Sequence, residues 1–195
     1  NGAQEAIDIA VQAMTDPERV QKSKQLPFRW FQALQHVTSS RLRDALHTAM
    51  NLSLANVEPW TGKTAIFSDN SGSMQSRLSS HGSTRYIDVA ALMSAMAMAL
   101  SPEEYYVGAF GTHFKWVDVT RHDSILTNMA RVIGADVGHS TNAWLAIKNL
   151  REQKIVVDRV LFFSDMQCYS TYGSRVWHLS HGPAGESLAS EWKKY

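Results

Sequence analysis

The amino-acid sequence predicts an α/β protein with a mostly parallel sheet, covered by helices on both faces and preceded by a short all-helical segment. From about residue 64 onward, short apolar runs of strand length alternate with longer runs of helical length. This alternation is typical of parallel strands connected by helices. Before about residue 56, the apolar residues recur at helical spacing only.

Helix start signals occur three times in the first part of the chain. Asp16-Pro17 and Leu26-Pro27 each place a proline at an early helical position, and Ser39-Ser40 can cap a further helix. Short helices with short connections indicate stacked helical hairpins. Because Glu58-Pro59-Trp60-Thr61-Gly62 interrupts the helical pattern, we expect a helical-repeat module at 1–58 and an α/β domain at 59–195.

The α/β domain is expected to contain four strands that alternate with helices. The strands are predicted at 64–67, 105–110, 114–119 and 160–164, and the helices at 85–100, 125–133, 143–151 and 186–194. Gly111-Thr112-His113 separates the second and third strands and indicates a hairpin. Since a further strand should follow the last helix, we expect the sheet to be truncated at its C-terminal end.

Composition limits the classes of function. The 195 residues include 19 basic and 18 acidic side chains, which excludes a globally basic nucleic-acid binder but not a local basic patch. The single cysteine, Cys168, allows no disulfide within the chain and favours the reducing cytoplasm. The longest apolar run, at 89–100, is shorter than the about 20 residues of a membrane span, so no membrane association is expected.

Five oxygen-bearing side chains are predicted to meet at one edge of the sheet. Asp69, Ser71 and Ser73 follow the first strand, Asp165 follows the last, and Thr141 lies in a loop that leads into a helix. Ligands of open α/β sheets bind at the carboxyl ends of the strands. Carboxylates and hydroxyls are hard ligands that suit Mg²⁺, with Mn²⁺ or Ca²⁺ as alternatives. Because hydroxyls are neutral, the ion would still attract an acidic ligand, which predicts binding rather than catalysis.

Other interpretations of this segment exist. Asp69 and its serines could form a turn that only caps the next helix. A phosphatase with Asp69 as nucleophile would need an acid two residues later, where Ser71 stands. We found no pairing of a nucleophile with a base, and we therefore expect no enzyme. We also expect Asp69 at a loop surface, so that its replacement leaves the fold mostly intact.

The set Asp69-x-Ser71-x-Ser73, Thr141 and Asp165 resembles the metal-ion-dependent adhesion site of von Willebrand factor A domains, which have a Rossmann-like fold. In that family the serines and the threonine usually contact the metal directly, while the aspartates often act through water. The resemblance implies the same ligand set here.

The segment Gln25-Leu26-Pro27-Phe28-Arg29-Trp30 resembles the end of a TROVE module, the ring-forming part of Ro ribonucleoproteins. Residues 67–74 and 138–142 also resemble the Ro version of the metal domain. The resemblance covers about residues 26–165. It implies a part of a Ro-type ribonucleoprotein that binds noncoding RNA, such as Y RNA or misfolded small RNA, in RNA quality control.

A basic segment from Arg19 to Arg43 contains no Asp or Glu and is interleaved with aromatic residues. Cations with aromatics can hold a phosphate backbone and stack bases. The candidate RNA-binding residues are Lys22, Lys24, Arg41 and Arg43. Alternatively, the aromatics pack between helices and the cations are merely solvated. The rival function is a protein-interaction module whose metal recruits an acidic residue of a protein partner, without RNA.

Overall fold

The structure is a computed structural model that describes residues 2–80, 82–165, 167 and 187–195. Its first part contains the helices α1 (Gly2–Thr15), α2 (Pro17–Ser23), α3 (Pro27–Leu34) and α4 (Ser40–Leu52). The second part contains β1 (Thr64–Asp69), α5 (Tyr86–Ala99), β2 (Tyr105–Phe110), β3 (Phe114–Trp116), α6 (Ile125–Ile133), α7 (Trp144–Glu152), β4 (Arg159–Phe163) and α8 (Leu188–Lys194). Strands alternate with helices after an all-helical start, which confirms the predicted fold class.

The helix starts follow the local sequence signals. The carboxylate of Asp16 accepts hydrogen bonds from the N–H groups of Glu18 and Arg19, at 2.9 and 3.2 Å, and so caps α2. Prolines occupy the first positions of α2 and α3, where a missing N–H costs nothing. Ser39 precedes α4 as predicted, but its side chain makes no capping hydrogen bond.

The described sheet has the strand order β3-β2-β1-β4. β1 is parallel to both β2 and β4, and β3 is antiparallel to β2. β3 ends at Trp116, three residues before the predicted end of this strand. Because β1 lies between β2 and β4, it has a neighbour on each side, and it is buried along its whole length. Asp69 pairs with Phe110 of β2, and the preceding Ser68 pairs with Phe163 of β4, so the polar residues that follow these strands meet at one edge.

Apolar residues cover both faces of the sheet. Successive side chains of a strand point to opposite faces. Accordingly, Ile66 joins a core cluster with residues of α5 and α6, while Ala65 and Phe67 join a second cluster with residues of α7. Helices lie on both faces, as the sequence predicted.

The helical first part shares a core with the α/β part. Phe31 of α3 and Met50 of α4 are buried in the same cluster as Ile66. The side-chain oxygen of Asn51 accepts a hydrogen bond of 3.1 Å from the N–H of Ile125, at the start of α6. The sequence break at Glu58–Gly62 thus separates two patterns of secondary structure that are packed against each other.

The apolar run at 89–100 forms most of α5, which packs against α6 and β1. Its one polar interruption, Ser94, is buried and donates to the carbonyl oxygen of Ala90 at 2.8 Å. Within the ranges described above, no helix is long and apolar enough to cross a membrane.

Candidate metal site at the carboxyl edge of the sheet

Asp69 is the last residue of β1, and its side chain is completely buried. One carboxylate oxygen accepts the N–H of Ser71 at 2.9 Å, and the other accepts the hydroxyl of Ser164 at 2.6 Å. The expectation that Asp69 lies at a loop surface is therefore wrong. β1 lies between β2 and β4, and the segments that follow these strands enclose its end.

The environment of Asp69 disfavours a bare negative charge. Burial raises the pKa of its carboxyl, hydrogen bonds from Ser164 and Ser71 oppose that rise, and the charge of Asp165 adds to it. The net effect is a pKa above the ordinary value. A cation beside both carboxylates would reverse this effect, because an opposite charge favours the ionised form.

The two serine hydroxyls lie side by side. The Oγ atoms of Ser71 and Ser73 are 3.3 Å apart, with Ser71 buried and Ser73 half-buried. Neighbouring ligands of an octahedral Mg²⁺ ion, at about 2.1 Å from the metal, are about 3.0 Å apart. The spacing of the hydroxyls fits such an ion after a small shift.

Asp69 caps neither the short 3-10 helix Ser73–Gln75 that follows its loop, which has no side-chain cap, nor the longer helix α5. α5 begins at Tyr86, and the side chain that accepts the N–H of Arg85 there is that of Asp88, at 2.8 Å. The bond from Asp69 to the N–H of Ser71 is a local turn. The capping alternative therefore leaves the hydroxyls of the loop unexplained.

Asp165 directly follows Ser164 and is half-buried. One of its carboxylate oxygens accepts the N–H of Gln167 at 3.1 Å. Because the hydroxyl of the preceding residue, Ser164, donates to Asp69 at 2.6 Å, Asp165 lies one residue from that contact, and its charge contributes to the raised pKa of Asp69. Among the described residues no group of three or more His, Cys, Asp or Glu side chains could hold a metal, and this site instead combines two carboxylates with hydroxyls.

Thr141 is buried in the loop before α7. This loop is joined to the Asp69–Ser73 loop by a hydrogen bond of 2.9 Å from the N–H of Gly72 to the carbonyl oxygen of His139. The structure thus brings Asp69, Ser71, Ser73 and Asp165 to one edge of the sheet and holds the segment that carries Thr141 against them.

Asn70 lies between Asp69 and Ser71 and is buried, and the sequence did not predict a role for it. Its side-chain N–H₂ donates to the carbonyl oxygens of Val132 and Ala135, at 2.7 and 3.3 Å, and its oxygen accepts the hydroxyl of Ser68. These bonds fasten the loop to the end of α6. Because the partners are 62 and 65 residues away, no local signal could have indicated them.

The four candidate RNA-binding cations, Lys22, Lys24, Arg41 and Arg43, all lie at the surface. Lys22 Nζ lies 3.5 Å from a carboxylate oxygen of Glu18, and Arg41 forms an ion pair with Asp8. Acidic side chains that precede the basic segment in the sequence thus lie next to two of its cations. Arg43 donates to the carbonyl oxygens of Leu34 and Val37. Arg41 and Arg43 therefore have partners within the protein. The ion pair of Lys22 with Glu18 is highly exposed and contributes little to stability.

The aromatic residues of the basic segment point inward. Phe31 is buried in the core, and Phe28 and Trp30 pack against that core. These rings serve the packing between helices, which is the alternative to base stacking.

Fold and site together define an α/β domain with oxygen-bearing side chains at one edge of its sheet, packed on a short set of helices. No protein-family profile and no curated protein matches the sequence. Among solved structures, the crystal structure of the Deinococcus radiodurans RO (RSR) protein matches with a TM-score of 0.70 and 20% sequence identity. The match covers 85% of this chain and 36% of that chain. The protein has a Ro-like fold and spans about a third of the length of its structural relative.

Proposed function

We propose that the protein belongs to a Ro-type ribonucleoprotein, in which the helical module 1–58 contributes to binding noncoding RNA and the α/β domain 59–195 holds a divalent cation. The observation that carries the proposal is the set of oxygens around the buried Asp69, at the edge of a sheet with a Ro-like fold. We assign it no catalytic reaction, and we place it in the cytoplasm because of the single Cys168, which lies outside the described residues.

The metal site is proposed to consist of Asp69, Ser71, Ser73, Thr141 and Asp165, with Mg²⁺ as the resident ion and Mn²⁺ or Ca²⁺ as alternatives. A bound ion would supply a positive centre that accepts one further carboxylate. Two neighbouring residues would orient these ligands. The hydroxyl of Ser164 donates to one carboxylate oxygen of Asp69, and the side chain of Asn70 fastens the loop to the end of α6 through the carbonyl oxygen of Val132.

Calorimetric titration with Mg²⁺ and Mn²⁺ tests this site. The wild-type protein should bind one ion, and Asp69→Asn should abolish the binding heat. Asp44→Asn is the matched control, because Asp44 lies exposed on α4 and its charge change is the same. Undiminished affinity in Asp69→Asn would refute the ligand assignment.

RNA binding is supported by the Ro-like fold and by the exposed pair Lys22 and Lys24. Changing both lysines to Gln should weaken binding to a structured RNA irrespective of sequence. The slope of log affinity against log salt should become shallower by about one unit for each phosphate that a lysine no longer neutralises. Lys115→Gln with Lys154→Gln is the control, because it removes two exposed lysines from the α/β part.

The rival function is a metal-dependent protein-interaction module that recruits an acidic residue of a partner. Two observations favour it. Arg41 is paired with Asp8, and the aromatic rings of the basic segment pack against the core, so fewer cations and rings of this segment are available to contact RNA. An acidic peptide that binds only with Mg²⁺ present, together with no RNA binding at low salt, would establish the rival. RNA binding that Asp69→Asn leaves unchanged would establish the RNA function.

A further inference from the structure

We infer that Thr112, in the turn between β2 and β3, is a positioning residue that holds the Thr141 loop in place over the metal site. The inference rests on the proposed metal site. Thr112 is not one of the five proposed ligands, and it acts on the backbone around one of them.

The hydroxyl of Thr112 accepts two hydrogen bonds from consecutive backbone groups. The N–H groups of His139 and Ser140 both lie 3.1 Å from Thr112 Oγ1. These are the two residues directly before Thr141. One hydroxyl oxygen therefore fixes the direction in which the chain enters the ligand position.

The same turn also holds the residue after Thr141. The N–H of Asn142 donates to the carbonyl oxygen of Gly111 at 3.1 Å, and its side-chain amide donates to the carbonyl oxygen of Thr112 at 3.3 Å. The backbone of Thr141 is thus fastened on both sides by a turn almost 30 residues away along the chain.

Two glycines let the turn and the loop approach each other closely. A Cβ added to Gly111 would lie 2.7 Å from the carbonyl oxygens of Val137 and Gly138. Gly138 itself has a φ of +77°, and a Cβ there would lie 2.6 Å from Thr112 Oγ1. The turn and the loop thus contact each other through their backbones, and a side chain at either glycine would push them apart.

The loop is held on its other side by the metal-binding segment. The N–H of Gly72 donates to the carbonyl oxygen of His139 at 2.9 Å. His139 therefore connects the Thr112 hydroxyl, through its N–H, with the loop of Ser71 and Ser73, through its carbonyl. Residues that orient metal ligands in this way typically contribute a factor of about 10–100 to metal affinity.

The test is Mn²⁺ and Mg²⁺ affinity, measured by calorimetry together with the melting temperature in EDTA. Thr112→Val keeps the shape of the side chain but removes the acceptor, and it should raise the metal Kd by about 10–100-fold. Thr112→Ser keeps the acceptor and should restore affinity to near the wild-type value. Thr120→Val is the control, because it removes a hydroxyl that also accepts a backbone N–H, that of His122, after β3. It should leave the Kd unchanged.

The outcomes separate the two proposals. Wild-type metal affinity in a folded Thr112→Val would overturn the positioning role and leave the metal site standing, whereas no metal binding by the wild type would overturn both. If Thr112→Val does not fold, amide hydrogen exchange of the metal-free wild type decides. Slow exchange at His139 and Ser140 that becomes slower with Mg²⁺ supports the role, and exchange at the unprotected rate in both conditions refutes it.

Discussion

Replacing Asp69 by Asn should separate the cost of its buried charge from its value as a metal ligand. In the metal-free protein the carboxylate is buried near Asp165, and both facts raise its pKa. Asn has nearly the same shape, can still accept the N–H of Ser71 and can pair with the hydroxyl of Ser164. We therefore expect the free energy of unfolding in EDTA to change by less than about 1 kcal/mol, or to rise.

Adding Mg²⁺ should reverse the order of stability. At a concentration of 100 times its Kd, a ligand that binds only the folded state stabilises it by about 2.7 kcal/mol. For a chain of this size that corresponds to a rise of about 5–11 °C in melting temperature. The wild type should show this rise, and Asp69→Asn should show none.

Asp69→Ala provides the comparison variant. It leaves the N–H of Ser71 without its acceptor, which costs about 1–3 kcal/mol even in EDTA. Thermal melts of the three proteins, followed by circular dichroism with EDTA and with Mg²⁺, provide the measurement. Two results would show that Asp69 is not a buried metal ligand of this kind. In one, Asn destabilises the metal-free protein as much as Ala does; in the other, Mg²⁺ raises the melting temperature of Asp69→Asn by the wild-type amount.

Two further predictions concern stability. Burial acts to raise the pKa of Glu191, but hydrogen bonds and charges of Lys194 and Arg151 outweigh it, and the net pKa is lowered. The ionised Glu191 carboxylate therefore stabilises the fold above the pKa that it has in the unfolded chain, and this stabilisation is lost as pH falls through its pKa in the folded protein. We expect Glu191→Gln to lower the free energy of unfolding by about 1–3 kcal/mol at pH 7 and by progressively less below about pH 4.3. Urea unfolding at several pH values provides the measurement. An equal cost at pH 3 would contradict this. Gly111→Ala should lower stability by about 1–3 kcal/mol because its Cβ meets the backbone of Gly138, and an unchanged melting temperature would count against that close approach.

The sequence was sufficient to predict the elements that depend on neighbouring residues. The prolines at 17 and 27 begin helices, and Gly111-Thr112-His113 joins two antiparallel strands. The main difference is β3, which ends at Trp116: three of its residues are in register with β2, and beyond them a single backbone bond, from the N–H of Val117 to the carbonyl oxygen of Val107, continues the pairing. Strand length depends on the partner strand, which periodicity alone does not specify.

The candidate site was predicted only in part. Asp69, Ser71 and Ser73 were identified from their spacing and their place after a strand, and the structure brings the first two into hydrogen-bonding contact. The burial of Asp69 was not predicted, since it depends on the chain segments that follow β2 and β4. The metal itself remains a prediction.

By itself, the sequence determined the α/β class and the order of helices and strands, because these follow from periodicity and spacing over a few residues; it also placed Asp69, Ser71 and Ser73 directly after a strand. Only the tertiary structure decided that Asp69 is buried, that Asp8 pairs with Arg41, and that Thr112 holds the Thr141 loop. Those contacts join residues about 30 to 95 positions apart. Local patterns cannot specify them, because each depends on how complete elements pack against one another.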